Sequence, residues 1–127
     1  MHKKDKIIQI AGAGPAGLAA AITLSKAGYQ VQVNEAKKEV GQRFGGDLQG
    51  LENWTSKQDV LQWMAQQGLT TAFEYAACST GYAFDAYGKT YPLKSREPLF
   101  YLLERGPGKN TLDRALLEQA RSLGVTV

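Results

Sequence analysis

The sequence predicts a mixed α/β fold in which a parallel sheet opens and closes the chain and an antiparallel β excursion lies between. Three observations predict it. An apolar run, a helical pattern and an alternating run follow one another from Ile7 to Asn34, as in a strand–helix–strand unit. An aromatic and β-branched tract from Thr70 to Lys94 is punctuated by turn residues at Ser79–Gly81 and Tyr87–Lys89. Near the end, an amphipathic segment is closed by Gly124 and followed by Val125-Thr126-Val127, the start of a further strand. The sheet so drawn is incomplete at its C-terminal edge.

Taken in order, Ile7–Ala11 is a short apolar run that reads as a buried parallel strand. From Pro15 to about Ala27 the pattern is helical, with Leu18, Ala21, Ile22 and Ser25 at three-four spacing and Gly28 as the stop. Pro15 suits a first helical turn, where its missing N–H removes nothing. Tyr29–Asn34 alternates Val31 and Val33 and reads as a second strand. The stretch from Ala36 to Ser56, with Gly41, Gly45, Gly46 and Gly50, is expected to be loop. Ser56 is expected to start a helix, with Asp59 completing a capping box, Val60, Leu61 and Met64 as its apolar stripe and Gly68 as its end. Trp54 and Trp63 are expected to be packing residues rather than flavin contacts. After the antiparallel excursion, the apolar segment Pro98–Arg105 suits either a helix or a strand, and Gly106–Asn110 is loop. Asn110 or Thr111 caps a helix whose Leu112, Ala115, Leu116, Gln119, Ala120 and Leu123 share one face. The organisation is thus one unit over residues 1–127: a βαβ unit at 1–36, the excursion at 69–97, and a returning helix and strand at 111–127.

Composition narrows the function classes. The chain of 127 residues fits one domain, with 43% hydrophobic and 21% charged residues. A net charge of +3 carried by scattered basic residues argues against nucleic-acid binding. The one basic cluster, Met1–Lys6, reads as a solvated lead-in to the first strand. Gln9, Pro15 and the glycines interrupt the apolar run that follows, so neither a secretory signal nor a transmembrane segment is expected. Cys78 is the single cysteine, which rules out an intrachain disulfide; it reads as a small buried hydrophobe, compatible with a reducing cytoplasm.

The chemistry is carried by Gly12-Ala13-Gly14-Pro15-Ala16-Gly17, a G-x-G-x-x-G match set between a strand and a helix. Gly12 allows the tight turn out of the strand. Gly14 lets a pyrophosphate approach the backbone where a side chain would repel it. Gly17 lets helix and strand pack closely. The free N–H groups and positive end of the helix then receive the phosphate charge. Glu35, 18 residues after Gly17 and followed by Ala36, closes the second strand. A carboxylate there can accept both ribose hydroxyls of an adenosine, and it repels a 2′-phosphate, which argues against NADP at this position. The unit is a Rossmann-like FAD/NAD(P)-binding one, and its ligand an adenine dinucleotide; the turn alone leaves FAD and NAD both open.

The stretch Ile7–Ala36, with Ala21 four residues after Gly17 and Gly28 seven beyond that, resembles the FAD-binding start of flavoproteins in the geranylgeranyl reductase and aromatic hydroxylase superfamily. The second half, from Arg105 through Leu112-Asp113 to Gly124 and the valine strand, is similar to that family's arginine, leucine-aspartate and returning helix. The resemblance touches both ends of the chain, and the middle matches in layout. It implies FAD as the cofactor, with NAD(P)H as electron donor and a small organic substrate, isoprenoids among the candidates. It further implies that Arg43 and Arg105 face the FAD phosphates or ribityl chain. Two features depart from the family: the spacer Gly106–Thr111 is longer, and the loop Gly41–Gly50 lacks the cysteine that some geranylgeranyl reductases carry. The family's later glycine-aspartate motif and substrate domain do not follow Val127, so the chain is expected to be the N-terminal part of a flavoprotein, completed by a C-terminal half or a second chain. No catalytic residue is expected among those present: His2 stands at the terminus, and neither a His/Ser/Asp constellation nor a metal-ligand cluster occurs. The other readings of the same turn are an NAD-linked dehydrogenase segment and a non-catalytic dinucleotide-binding module.

Overall fold

A computed structural model describes residues 6–127. The readings of His2 and of the basic lead-in lie, apart from Lys6, outside the described residues. In chain order the elements are β1 (Ile7–Ala11), α1 (Pro15–Lys26), β2 (Gln30–Asn34), β3 (Leu48–Glu52), α2 (Val60–Gln66), β4 (Tyr75–Cys78), β5 (Thr80–Phe84), β6 (Thr90–Lys94), β7 (Phe100–Glu104) and α3 (Leu112–Ser122).

β1 and β2 pair in parallel, with Ile8 opposite Val31 and Ile10 opposite Val33. The chain returns to this pair at its end: Thr126 bridges Gln32 in parallel, and the Val33 N–H donates to the Thr126 carbonyl at 2.8 Å. Helices α1 and α3 cover the same core. Leu18, Ala21 and Ile22 of α1 meet Leu116, Ala120, Val31, Val33 and Val125 in one buried cluster. Ser25 Oγ fastens the two helix ends by donating to the Leu123 carbonyl at 2.8 Å. This is the expected parallel unit with one correction: β1 is an edge strand, its residues half-buried or exposed and Ile7 60% exposed, where a buried strand was expected. Only β2 supplies it with a ladder among the described residues.

A second sheet is antiparallel, in the order β3-β7-β4. β7 resolves the ambiguity at Pro98–Arg105 in favour of a strand, because both its edges are paired and Tyr101 and Leu103 turn into the core. β3 falls within the stretch expected to be loop. Its glycine, Gly50, is what obscured it, and that glycine has a packing reason: a Cβ there would stand 3.2 Å from the Phe100 ring. The third sheet is the β5–β6 hairpin, turned where Tyr87–Lys89 signalled it. Asp85 Oδ1 accepts from the N–H groups of Tyr87 and Lys89 at 2.9 Å each. Its Tyr82, Phe84, Tyr91 and Leu93 are exposed.

Three local expectations are corrected. The N-cap of α2 is Asp59 rather than Ser56; Ser56 Oγ instead closes a small turn with Gln58. Trp54 and Trp63 are 60% and 47% exposed rather than packed, and Trp54 meets Phe100 only edge-on. Cys78 is half-buried at the end of β4, not buried. The α2 cap is also the joint between that helix and the antiparallel sheet. Asp59 accepts from the N–H groups of Leu61 and Gln62 at 2.9 and 3.1 Å, and its second oxygen accepts from the Tyr101 hydroxyl of β7. Burial alone would raise the Asp59 carboxyl, but the hydrogen bonds from Tyr101, Gln62, Leu61 and Asn53 outweigh it and hold it below its ordinary range. The same contact pushes the Tyr101 phenol up to about 12.

Asp59→Ala removes the cap and the Tyr101 partner together, so it is expected to cost about 1–2 kcal/mol in a denaturant melt. Because the folded carboxyl is depressed, the wild-type contribution is present above the unfolded value near 3.8 and fades as pH falls through the folded one. The gap between wild type and Asp59→Ala should therefore narrow in acid; a constant gap would remove the carboxylate from the joint.

Candidate functional site

The glycine turn stands at the C-terminal end of the parallel pair, and its three glycines divide into two kinds. Gly12 turns the chain out of β1 at φ +91°, tied to β2 by its N–H on the Asn34 carbonyl at 2.8 Å. Gly17 sits on the first turn of α1 so close to that bend that a Cβ would lie 2.1 Å from the Gly12 carbonyl oxygen. Both glycines are demanded by the protein itself, Gly12 by its backbone conformation and Gly17 by packing. Gly14 is different. It is the N-cap of α1 at φ −73° and ψ 173°, a conformation open to any residue, and a Cβ there would meet nothing within 4 Å. Neither backbone nor packing explains the glycine, so the space beside Gly14 is free for an external group.

The helix start is equally open. No side chain caps α1, its first turn holds no acidic residue, and Pro15 occupies N1. The helical ladder begins with the Leu18 N–H on the Gly14 carbonyl at 2.9 Å. The N–H groups of Ala16 and Gly17 thus stand in the unpaired first turn, at the positive end of the helix.

Glu35 lies directly across this turn. Its Oε2 accepts from the Ala13 N–H at 2.7 Å, and its Oε1 accepts from the Lys37 N–H at 2.9 Å. The carboxylate therefore clasps the buried Ala13 backbone to the segment leaving β2. The bond from Ala13, then that from Lys37, lowers the carboxyl below its ordinary range against a weaker opposing effect of burial. Each oxygen keeps a further lone pair, so the clasp and an incoming hydroxyl are compatible. Beside Glu35 opens a cavity of about 330 Å³ walled by Lys37, Lys38, Val40, Leu117, Arg121 and Val127. Ala36, next in the chain, is exposed.

The two arginines separate. Arg43 is exposed on the loop after β2, its guanidinium 5.7 Å from the Phe44 ring centre. Arg105, expected to face a phosphate or ribityl chain, is instead 6% exposed and turned inward. Its Nε and Nη2 donate to Asp113 Oδ2 and Oδ1 at 2.8 and 2.9 Å, Nη1 donates to Gln49 Oε1, and the guanidinium lies 4.2 Å over Phe44. Asp113, fully buried, is the residue that sequence reasoning missed as a partner. Its place in the first turn of α3 reads as an ordinary helix-start acid, and only the fold brings Arg105 to it.

Residues 10–61 match the NAD(P)-binding Rossmann-like domain family. A search of curated proteins finds no match. Among solved structures, a geranylgeranyl bacteriochlorophyll reductase-like protein from Thermoplasma acidophilum is similar at 19% identity and TM-score 0.68, over 96% of this chain and 29% of its own. The tetrameric form of 2-methyl-3-hydroxypyridine-5-carboxylic acid oxygenase is similar at 22% identity and TM-score 0.64, over 95% and 30%. CtdE, solved in complex with FAD, is similar at 22% identity and TM-score 0.55, over 94% and 28%. These likenesses establish the fold, and the chain spans less than a third of the length of each.

Two substitutions test the geometry without any ligand. Gly17→Ala forces a methyl against the Gly12 carbonyl and is expected to destabilise by roughly 1–3 kcal/mol or more. Glu35→Ala strips the buried Ala13 N–H of its acceptor and is expected to cost roughly 1–3 kcal/mol at neutral pH. Since the folded Glu35 carboxyl is depressed, that stabilisation is present above about 4.5 and lost as pH falls through the folded value. A neutral-pH melt of Glu35→Ala that matches wild type would dissolve the clasp.

Proposed function

We propose that this chain, which has the FAD/NAD(P)-binding Rossmann fold of the geranylgeranyl reductase and aromatic hydroxylase flavoproteins, binds the ADP half of FAD at its glycine turn and forms the FAD-binding portion of a flavin-dependent oxidoreductase. The observation that carries this is Gly14: a glycine that the protein's own packing does not require, at the uncapped start of a helix, facing a carboxylate. The residues fit the group. The N–H groups of Ala16 and Gly17 would hold the pyrophosphate over Gly14 and Pro15, and the free lone pairs of Glu35 would take the ribose hydroxyls. The cavity beside Glu35 and Ala36 would receive the adenine, with Val40 and Leu117 as its apolar wall. Arg43, exposed on the loop that follows the C-terminal end of β2, is proposed as a phosphate or ribityl contact.

FAD, once bound, supplies hydride or oxygen-transfer chemistry, with NAD(P)H as the source of electrons and a small organic substrate as the acceptor. The chain's own part is to bind and orient. Substrate-binding and catalytic groups are assigned to further polypeptide, as a continuation or a second chain, and an isoprenoid substrate is one candidate among small organic molecules. A reducing cytoplasm suits such a protein.

Gly14→Val puts a branched side chain into the free space and nowhere else. Its melting temperature is expected to stay near that of wild type, while FAD and ADP affinities fall by at least about a hundredfold. Riboflavin, which has no pyrophosphate, should not discriminate between the two proteins. Unchanged ADP affinity would place the phosphates elsewhere; binding of NAD but not FAD would favour the NAD-linked reading, and indifference to both a module without a dinucleotide.

A further inference from the structure

Arg105 and Asp113 are the buried charged side chains among the described residues, and each is fully engaged. A buried ion pair is a weak source of stability, because desolvation offsets most of the attraction. What this pair touches suggests another use. Asp113 Oδ2 also accepts from the Gly106 N–H at 3.0 Å, and the backbone of Gly41 passes so near that a Cβ would stand 2.8 Å from Asp113 Cγ. Gly41 holds φ +63°, so both its conformation and its surroundings exclude a side chain. Three residues on, the Phe44 ring lies under the Arg105 guanidinium at 4.2 Å, and Arg43 flanks the same ring at 5.7 Å. The turns Gly41–Phe44 and Phe44–Asp47 are closed by backbone bonds of 2.9 and 3.0 Å, and the Arg105 N–H holds the Asp47 carbonyl at 2.8 Å.

We propose that the Arg105–Asp113 pair is a latch that positions the loop from Val40 to Asp47, with Phe44 as its catch, and so holds Arg43 at the dinucleotide. The loop leaves the C-terminal end of β2, the same end of the parallel pair as the glycine turn, so its placement sets where the Arg43 charge stands relative to the phosphates. Arg105 and Asp113 are positioning residues; Arg43 is the contact. This role rests on the dinucleotide reading above, but the latch itself is testable without a ligand.

Limited trypsinolysis reads the latch: Arg43 is exposed in the folded protein, but cleavage needs the chain around the bond extended, and release of the loop allows that. Phe44→Leu leaves the buried pair intact and removes the ring beneath the guanidinium. It is expected to speed cleavage at that bond by about tenfold, with cleavage after Arg114 and Arg121 unchanged, since cleavage tracks the open population. Asp113→Asn should act more strongly on the same bond. If that variant fails to fold, Phe44→Leu decides the matter. FAD and ADP titrations supply the second arm: Phe44→Leu should lose about tenfold in affinity, and Arg43→Ala should add little in its background, because both act through one contact. Wild-type cleavage in a folded Phe44→Leu protein would overturn the latch, as would affinity losses for Phe44→Leu and Arg43→Ala that multiply. A wild-type chain that binds neither FAD nor ADP would instead sink the dinucleotide reading, and the cleavage arm would still decide the latch.

Discussion

The approach of the Gly17 Cα to the Gly12 carbonyl is the constraint on which the rest of the structure depends. It allows α1 to begin within four residues of the end of β1 and to lie flat on the parallel pair. From that start, three-four spacing sends Leu18, Ala21 and Ile22 into the core, each fully buried. α3 then packs on α1 and brings Val125–Val127 back alongside β2. A helix displaced by one methyl at position 17 would pull all of these contacts out of register at once, because interiors packed like crystals do not absorb such shifts locally.

The same crowding has a consequence for the ligand side. The bend at Gly12 leaves the Ala13 N–H turned into the structure, where water cannot reach it, and Glu35 satisfies it. One carboxylate thus serves the fold and faces the site. Such a residue resists a simple division into structural and functional, since its charge is held in place by the turn whose ligand it would meet. The depressed carboxyl keeps that charge present throughout the neutral range.

Charge burial elsewhere follows a similar economy. The antiparallel β3-β7-β4 sheet and the parallel pair belong to different sheets, and the segments joining them are rich in glycine. Apolar side chains alone cannot hold Gly41, Gly46 and Gly106 in place, because these residues have none. Asp113 holds Gly106 by accepting its N–H and stands against the Gly41 backbone, and the Arg105 N–H holds the Asp47 carbonyl beside Gly46; such hydrogen bonds are directional where hydrophobic contact is not. The exposed aromatic residues of the β5–β6 hairpin have no comparable covering among the described residues.

Much of this was legible in the sequence because it is written in local terms. Periodicity marked α1, β2 and α3; glycines and turn residues marked the bend at Gly12, the stop at Gly28 and the hairpin turn; and the G-x-G-x-x-G spacing named a dinucleotide unit from one short stretch. The sequence by itself therefore determined the α/β class, the parallel start and the position of the candidate site. Tertiary structure decided what depends on distant partners. It made β3 a strand through β7, although Gly50 argues for loop, and among the described residues it paired β1 on one side alone despite its apolar composition. It also turned Arg105 from an expected ligand contact into the buried partner of Asp113, eight residues along the chain and across a glycine loop. The physical reason is common to all three: strand pairing and ion pairing are satisfied by whichever groups the fold brings within about 3 Å, and no local pattern records that distance.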